Sequence, residues 1–296
     1  MYKIGVDLGG TKTEIIVLDE NLTVLERKRE ITPQNNYNEI LNTIETLVSD
    51  VSQNISDFSL GICCPGAISK QTGLIKNSNT QCLIGKSLKK DLENKLQKTI
   101  SLENDANCFA LSEAVDGAGK GKEVVFGVII GTGVGGGIVV NKKVLQGRNN
   151  IGGEWGHIAL PNRTEDEIKF NKKCYCSHHG CMETYVSGPG FASCYNLRHN
   201  TNLDSYEIIK TYPDNKKSKE ALDSYIDHLA RGLSIVVNIL DPDIIVLGGG
   251  MSNVDYIYEF INDQLKKYVF TDTFHTKVVK NIHGDSGGVR GAAWLS

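Results

Sequence analysis

Proline is scarce in this sequence, at 6 in 296 residues, and its glycines are bunched rather than periodic, which excludes collagen-like and Pro-rich disordered chains. Long apolar runs are also missing. The most membrane-like stretch, Val124 to Val140, falls short of the ~20 apolar residues a span requires and is interrupted by six glycines and Thr132. There is no basic excess: 32 Lys and Arg against 35 Asp and Glu leave a net charge of −3, so indiscriminate attraction to nucleic acid is not expected. Eight cysteines are too few for a disulfide scaffold, and Asp7 breaks the first apolar run before it could serve as a signal peptide. These absences point to a cytoplasmic protein with neither membrane nor nucleic acid as partner.

What remains is an α/β pattern long enough for about two domains. Ile4 to Leu8 and Glu14 to Leu18 are β-rich runs joined by a glycine turn, which predicts a hairpin. Tyr37, Ile40, Leu41, Ile44, Leu47, Val48 and Val51 recur at helical spacing, and Phe58 to Cys64 reads as a buried strand ending at Pro65-Gly66. Asn104-Asp105 precedes a helix over Ala106 to Val115, stopped by Gly117 and Gly119. The strand Val124 to Ile130, a glycine loop over 131–137 and Ile138 to Val140 repeat the amino-terminal layout, which suggests an internal duplication. Leu222 to Leu240 carries one apolar helical face and is followed by the strand Ile244 to Leu247. The expected division is a first domain over 1–117, a larger second over 118–287, and a short helix over 288–296 returning to the first. The polar segments 161–173 and 212–220 show no apolar period and read as solvated loops without function.

Three glycine turns are candidate phosphate cradles. In Asp7-Leu8-Gly9-Gly10-Thr11-Lys12, backbone amides and the Thr11 hydroxyl can hold phosphate oxygens, while Asp7 can orient a hydrated Mg²⁺. Gly131-Thr132-Gly133 follows a strand, and Gly248-Gly249-Gly250 lies at the exit of another, where α/β sheets bind nucleotides. Cys174-x-Cys176-x4-Cys181 has the compactness of a zinc site with one ligand to be supplied, for which His157, His178 and His179 are candidates. The remaining cysteines, Cys63, Cys64, Cys82, Cys108 and Cys194, read as small buried apolar residues. Asp105 is both a plausible cap and a candidate general base. The helix dipole is expected to lower its pKa, which a loose phosphoryl-transfer transition state tolerates. Glu154, His157 and Glu183 flank the cysteine loop and would suit a polyhydroxylated ligand.

Together, Asp7 to Lys12, Glu103-Asn104-Asp105-Ala106-Asn107, Ile130 to Gly137, Gly153-Glu154-Trp155-Gly156-His157 and Cys174-x-Cys176-x4-Cys181-x-Glu183 resemble the bacterial ROK group of sugar kinases and repressors. The resemblance runs from Ile4 to Leu295. It implies the two-domain actin-like ATPase fold, shared by sugar kinases, heat-shock chaperones and actin, with a cleft between its domains. It also implies Asp105 as catalytic base, a sugar held by Gly66, Asn79, Asn104, Glu154, His157 and Glu183, Mg-ATP as co-substrate, and a homodimer. The family histidine places His157 on a structural zinc with Cys174, Cys176 and Cys181, although Ser177 stands where the family usually has glycine. Gly73 to Asn79, Leu160-Pro161 and His283-Gly284-Asp285-Ser286 through Trp294 look most like the manno(fructo)kinase subgroup. The resulting expectation is phosphorylation of the 6-hydroxyl of fructose, with mannose as a second substrate. N-acetylglucosamine kinase and glucokinase are the alternatives within the family. A sugar-responsive repressor is disfavoured because the first strand starts too near Met1 for a DNA-reading helix-turn-helix. A chaperone- or actin-like ATPase would not need the cysteine loop.

Overall fold

The computed structural model describes residues 1–78 and 80–295. In its first half, β1 (Tyr2–Leu8), β2 (Lys12–Leu18) and β3 (Val24–Ile31) form an antiparallel meander, followed by α1 (Tyr37–Ser52) and β4 (Phe58–Cys64). The short pair β5 (Ala67–Ile68) and β6 (Ile75–Lys76) leads to α2 (Leu88–Leu96), β7 (Ser101–Asn104) and α3 (Asp105–Val115). The sheet order is β3-β2-β1-β4-β7, with β1, β4 and β7 parallel.

The second half opens with β8 (Val124–Ile130), β9 (Val134–Val140) and β10 (Lys143–Val144). Helices α4 (Glu165–Lys169), α5 (Glu183–Val186), α6 (Gly188–His199), α7 (Ser205–Thr211) and α8 (Lys216–Leu240) follow. The chain continues through β11 (Ile244–Gly248), α9 (Asp255–Lys266) and β12 (Lys277–Lys280) to α10 (Gly287–Ala293). The second sheet, β10-β9-β8-β11-β12, repeats the order of the first: two antiparallel strands, then three parallel ones. The duplication inferred from the two hairpins is therefore visible in the topology.

Local signals explain most boundaries. Asn36 caps α1 by accepting from Glu39 N, and Ile40, Leu41, Ile44, Leu47, Val48 and Val51 put one stripe of the helix into the core under β1, β2 and β4. In the second half α8 and α9 cover the sheet with Leu222, Ile226, Leu229, Leu233, Ile257 and Ile261. Between the sheets lie α3, against β8 and β9, and α10, against β1 and β4. The close approach needs glycine: a Cβ on Gly5 or Gly61 would collide with α10 backbone, and one on Gly291 with the Cys108 carbonyl of α3.

Three expectations change. Gly135, Gly136 and Gly137 belong to β9, and only 131–133 form the turn, because these side-chain-free positions accept Ala106 and Ala110 of α3 on one side and Trp155 on the other. Segment 161–173 is not a plain loop: it contains α4, opened by a capping box between Thr164 and Glu167. Segment 212–220 already contains the start of α8, capped by Asn215. Cys63, Cys64 and Cys108 are buried as expected, whereas Cys82 and Cys194 are half-buried. Among the described residues, no helix is long and apolar enough to cross a membrane.

Candidate active site

The parallel strands of the first sheet deliver their carboxyl ends to one edge. Asp7 of β1 is in register with Cys63 of β4, which is in register with Glu103 of β7, so the three share a sheet face with α10. Burial pushes the Asp7 carboxyl up to about 7; a hydrogen bond with Cys63 acts against the shift, while the charges of Asp105 and Glu14 reinforce it. Glu14, opposite Asp7 on β2, is buried and held by Arg27 Nε at 2.5 Å and Arg29 Nε at 2.6 Å.

Asn104 ends β7 and caps α3, its Oδ1 accepting from Ala106 N at 2.9 Å and Asn107 N at 3.3 Å, while its Nδ2 donates to Gly66 O at 2.9 Å. Below it, Glu103 accepts from Asn104 N at 2.8 Å and pairs with Gln146 of the second half. Asp105 is the first residue of α3 and accepts from Ala106 N at 2.8 Å. Its pKa nevertheless moves opposite to the dipole-based expectation. Desolvation dominates, Glu154 adds repulsion, and the carboxyl is raised to about 6 despite its hydrogen bonds.

The glycine turns are held from behind. The carbonyls of Gly9, Gly10 and Thr11 accept from Thr32 Oγ1, Gln34 Nε2 and Thr32 N at 2.8, 2.6 and 3.0 Å, which anchors the turn between β1 and β2 to the end of β3. Lys12 at its exit lies 3.9 Å from Asp285. In the second half, Gly131 N donates to Gly133 O at 3.0 Å to close the turn between β8 and β9. Gly249 has φ +84, and a Cβ there would strike the backbone of Ile130 and Gly131. Only glycine therefore lets the turn 248–250 lie directly on the turn 131–133, merging the second and third cradles into one surface.

Beside them, one ligand atom each from His157, Cys174, Cys176 and Cys181 falls within 4.8 Å of the others. His157 Nδ1 is 3.7 Å from Cys174 Sγ, and Cys176 Sγ is 3.5 Å from Cys181 Sγ. Burial pushes the Cys174 and Cys181 thiols up; at Cys176 it is outweighed by hydrogen bonds, first from His178, that bring the thiol to about 6. Of the three histidines considered for this loop, His157 completes the group; His178 and His179 are exposed, although His178 Nδ1 lies 3.5 Å from Cys176 Sγ. Glu183, two residues beyond Cys181, faces Cys174 Sγ at 3.9 Å with one oxygen and accepts from Val134 N at 3.0 Å with the other. Glu154 is exposed at the start of the 3₁₀ turn Trp155–His157. Asn79 lies outside the described residues.

The ROK family model matches residues 3–296. The chain belongs to the ROK family. It is 39% identical over 296 residues to an N-acetyl-D-glucosamine kinase of Pectobacterium carotovorum subsp. carotovorum, covering 98% of this chain and 97% of that protein. The corresponding enzyme of Pectobacterium atrosepticum is 40% identical with the same coverage. Among solved structures, a ROK hexokinase from Thermus thermophilus superposes with a TM-score of 0.88 at 25% identity, over 100% of this chain and 98% of that one. A ROK glucokinase from Streptomyces griseus, in complex with glucose and AMPPNP, gives 0.79 at 25% identity, over 100% and 99%. The actin-like ATPase fold implied by the motifs is the fold observed.

Sequence reasoning missed several supports of this ROK site. Glu167, in the segment read as featureless, accepts from His228 Nε2 at 2.9 Å and pairs with Arg231, while Arg231 NH1 donates to Pro161 O at 2.8 Å and Asn162 O at 3.1 Å. This buried network pins the segment between His157 and the cysteines to α8. Gln146 and Tyr175 were also unmarked; no periodicity or motif distinguishes them.

Proposed function

We propose that this protein transfers the γ-phosphoryl group of ATP to the 6-hydroxyl of N-acetylglucosamine. The observation that carries the sugar is the similarity to N-acetyl-D-glucosamine kinases across nearly the whole chain. It favours that alternative over the fructokinase expectation, whose motifs, Asn79 apart, touch no residue expected to read the sugar's substituents directly. The site geometry supports the reaction class: a desolvated carboxyl at Asp105 stands on the sheet edge that also carries Asp7 and the Gly9–Lys12 turn. With its pKa near 6, Asp105 is mostly ionised at neutral pH yet more basic than an ordinary carboxylate, which suits acceptance of the hydroxyl proton as transfer proceeds. Glu154, His157 and Asn104 orient the sugar. The amides of the turns at 9–11, 131–133 and 248–250 bind phosphate oxygens, and closure of the halves over the cleft excludes water.

Two metal ions fit the residues present. Asp7, desolvated and near the carboxylates of Asp105 and Glu14, with Lys12 as the one opposing charge among its strongest influences, suits a cation, and Mg²⁺ there would neutralise phosphate charge. The N/S₃ donor set of His157, Cys174, Cys176 and Cys181 is that of a closed zinc site, which would fix His157 and the loop and leave no position for a reacting water. The same reading divides the chain into functional halves at about residue 117, with α10 belonging to the first. An ADP-release assay with N-acetylglucosamine, fructose, mannose and glucose tests the proposal. The highest kcat/KM is expected for N-acetylglucosamine; a preference for fructose would restore the motif-based reading, and sugar-independent hydrolysis would reject a kinase altogether.

A further inference from the structure

We propose that Gln146 is a positioning residue for phosphoryl transfer: its side-chain amide crosses between the halves to Glu103 and keeps Asp105 aligned while the halves are together. This rests on the reading of Asp105 as the base and adds to it a residue of the second half. Gln146 lies in the loop after β10, which the Gly152 N–H closes by donating to the Gln146 carbonyl at 3.0 Å. Side chains tie this loop to the first half. Lys70 Nζ donates to Gly147 O at 2.6 Å and Asn150 Nδ2 to Ile68 O at 3.0 Å, both at the β5–β6 arm, whereas Gln146 Nε2 donates to Glu103 Oε2 beside the Asn104 cap.

Glu103 is 3% exposed, and among the described residues its partners are neutral donors rather than cations. Asn104 N at 2.8 Å and Asn107 Nδ2 at 3.0 Å fill Oε1, and the Gln146 amide alone fills Oε2. A buried carboxylate without a counter-charge leans on every such bond, and bonds to a charged group are stronger than neutral ones. Asn107 shows the same demand. It is 7% exposed, and with Nδ2 committed to Glu103 its Oδ1 has no partner among the described residues. The oxygen filled from the first half holds the Asn104 N–H, and Asp105 is the next residue, at the start of α3. Parting the halves removes the donor to Oε2, so the carboxylate turns toward water and pulls on the Asn104 peptide. Asp105 is thereby aligned when the halves meet and misaligned when they separate, which couples proton acceptance to closure.

The test is Gln146→Glu, which keeps the side-chain length and turns the donor into an acceptor. With the hexose the wild type prefers, ADP release should show kcat about tenfold lower, the worth of a hydrogen bond to a charged group, while KM for the sugar changes far less. Gln146→Ala, which adds no charge, should show the same split. Combining Gln146→Glu with Glu103→Gln exchanges amide and carboxylate, restores the bond with its polarity reversed, and should return most of the lost kcat. Lys70→Met cuts another tie of the same loop, one that does not reach Asp105, and should leave kcat near wild type. Normal kcat in both Gln146 variants, a paired variant as slow as Gln146→Glu, or an equal loss in Lys70→Met would overturn the role of Gln146 while leaving the kinase reading intact. A wild type without sugar-dependent ADP release would overturn that reading and this proposal with it.

Discussion

Replacing Asp105 by Asn separates two consequences of one carboxyl, its basicity and its cost to the fold. The native pKa of about 6, against an ordinary 3.8, means that folding strips water from a group that would rather be charged. That difference corresponds to about 3 kcal/mol at most, an upper figure because Asp105 remains partly exposed to solvent. The sign follows from proton uptake: between pH 3.8 and about 6 the native state holds the proton more tightly than the unfolded chain, so stability falls as pH rises and stays low above 6. Asn keeps an oxygen for the 2.8 Å bond from Ala106 N but cannot ionise. Thermal melts of the unliganded variant should therefore lie up to about 6 °C above wild type at pH 8 and coincide with it near pH 4. In the ADP-release assay kcat should fall by about 10²–10⁴, and wild-type kcat/KM should show an acid limb near pH 6. A stability gain equal at both pH values would refute the desolvation argument; near-normal turnover would refute the base.

Metal analysis of protein purified without supplement should find about one zinc per chain, lost together with thermal stability in Cys181→Ser; wild type devoid of zinc would reject the site. Glu167→Gln should cost about 2 kcal/mol in urea unfolding at pH 7, less than a fully orphaned buried pair, because Arg231 retains Asp227 at 2.8 Å and two carbonyls. Burial alone would raise Glu167, but bonds from His228, Arg231 and the Thr164 backbone hold it near 2. Its contribution is therefore complete above pH 4.5 and lost as pH falls toward 2, so the gap between variant and wild type should narrow at pH 3; a pH-independent gap would contradict the network.

The parts of this molecule legible in its sequence are those set by neighbours in the chain. The β1–β2 hairpin, the Asn104 cap and the cysteine spacing each declare themselves within a few residues, and the stripe of α1 within four turns. What escaped depends on distant partners. Gly135 to Gly137 look like a loop until α3 and Trp155 are placed against them, when the missing side chains become the condition for a strand. Segment 161–173 looks like solvated surface because the partner of Glu167 is 64 residues away. The helix dipole at Asp105 is a local feature and readable from the sequence; the desolvation that reverses the direction comes from burial in the assembled fold.

Glu183 shows how closely the cysteine loop and the turn at 131–133 are joined. It opens α5 immediately after the cysteine loop, so its position is set by whatever fixes Cys181. One oxygen faces Cys174 Sγ and the other takes the N–H of Val134, the residue that leaves the 131–133 turn. The carboxylate has no slack: a Cβ on Gly133 would lie 2.9 Å from the same oxygen. A displacement of the thiol cluster is thus passed through one side chain to the 131–133 turn, and through Gly249 to the turn stacked on it. The cysteine loop therefore positions more than His157. It also sets the position of the glycine surface at 131–133 and 248–250, so under the proposed function loss of a metal from the loop is expected to disturb both ligands rather than one.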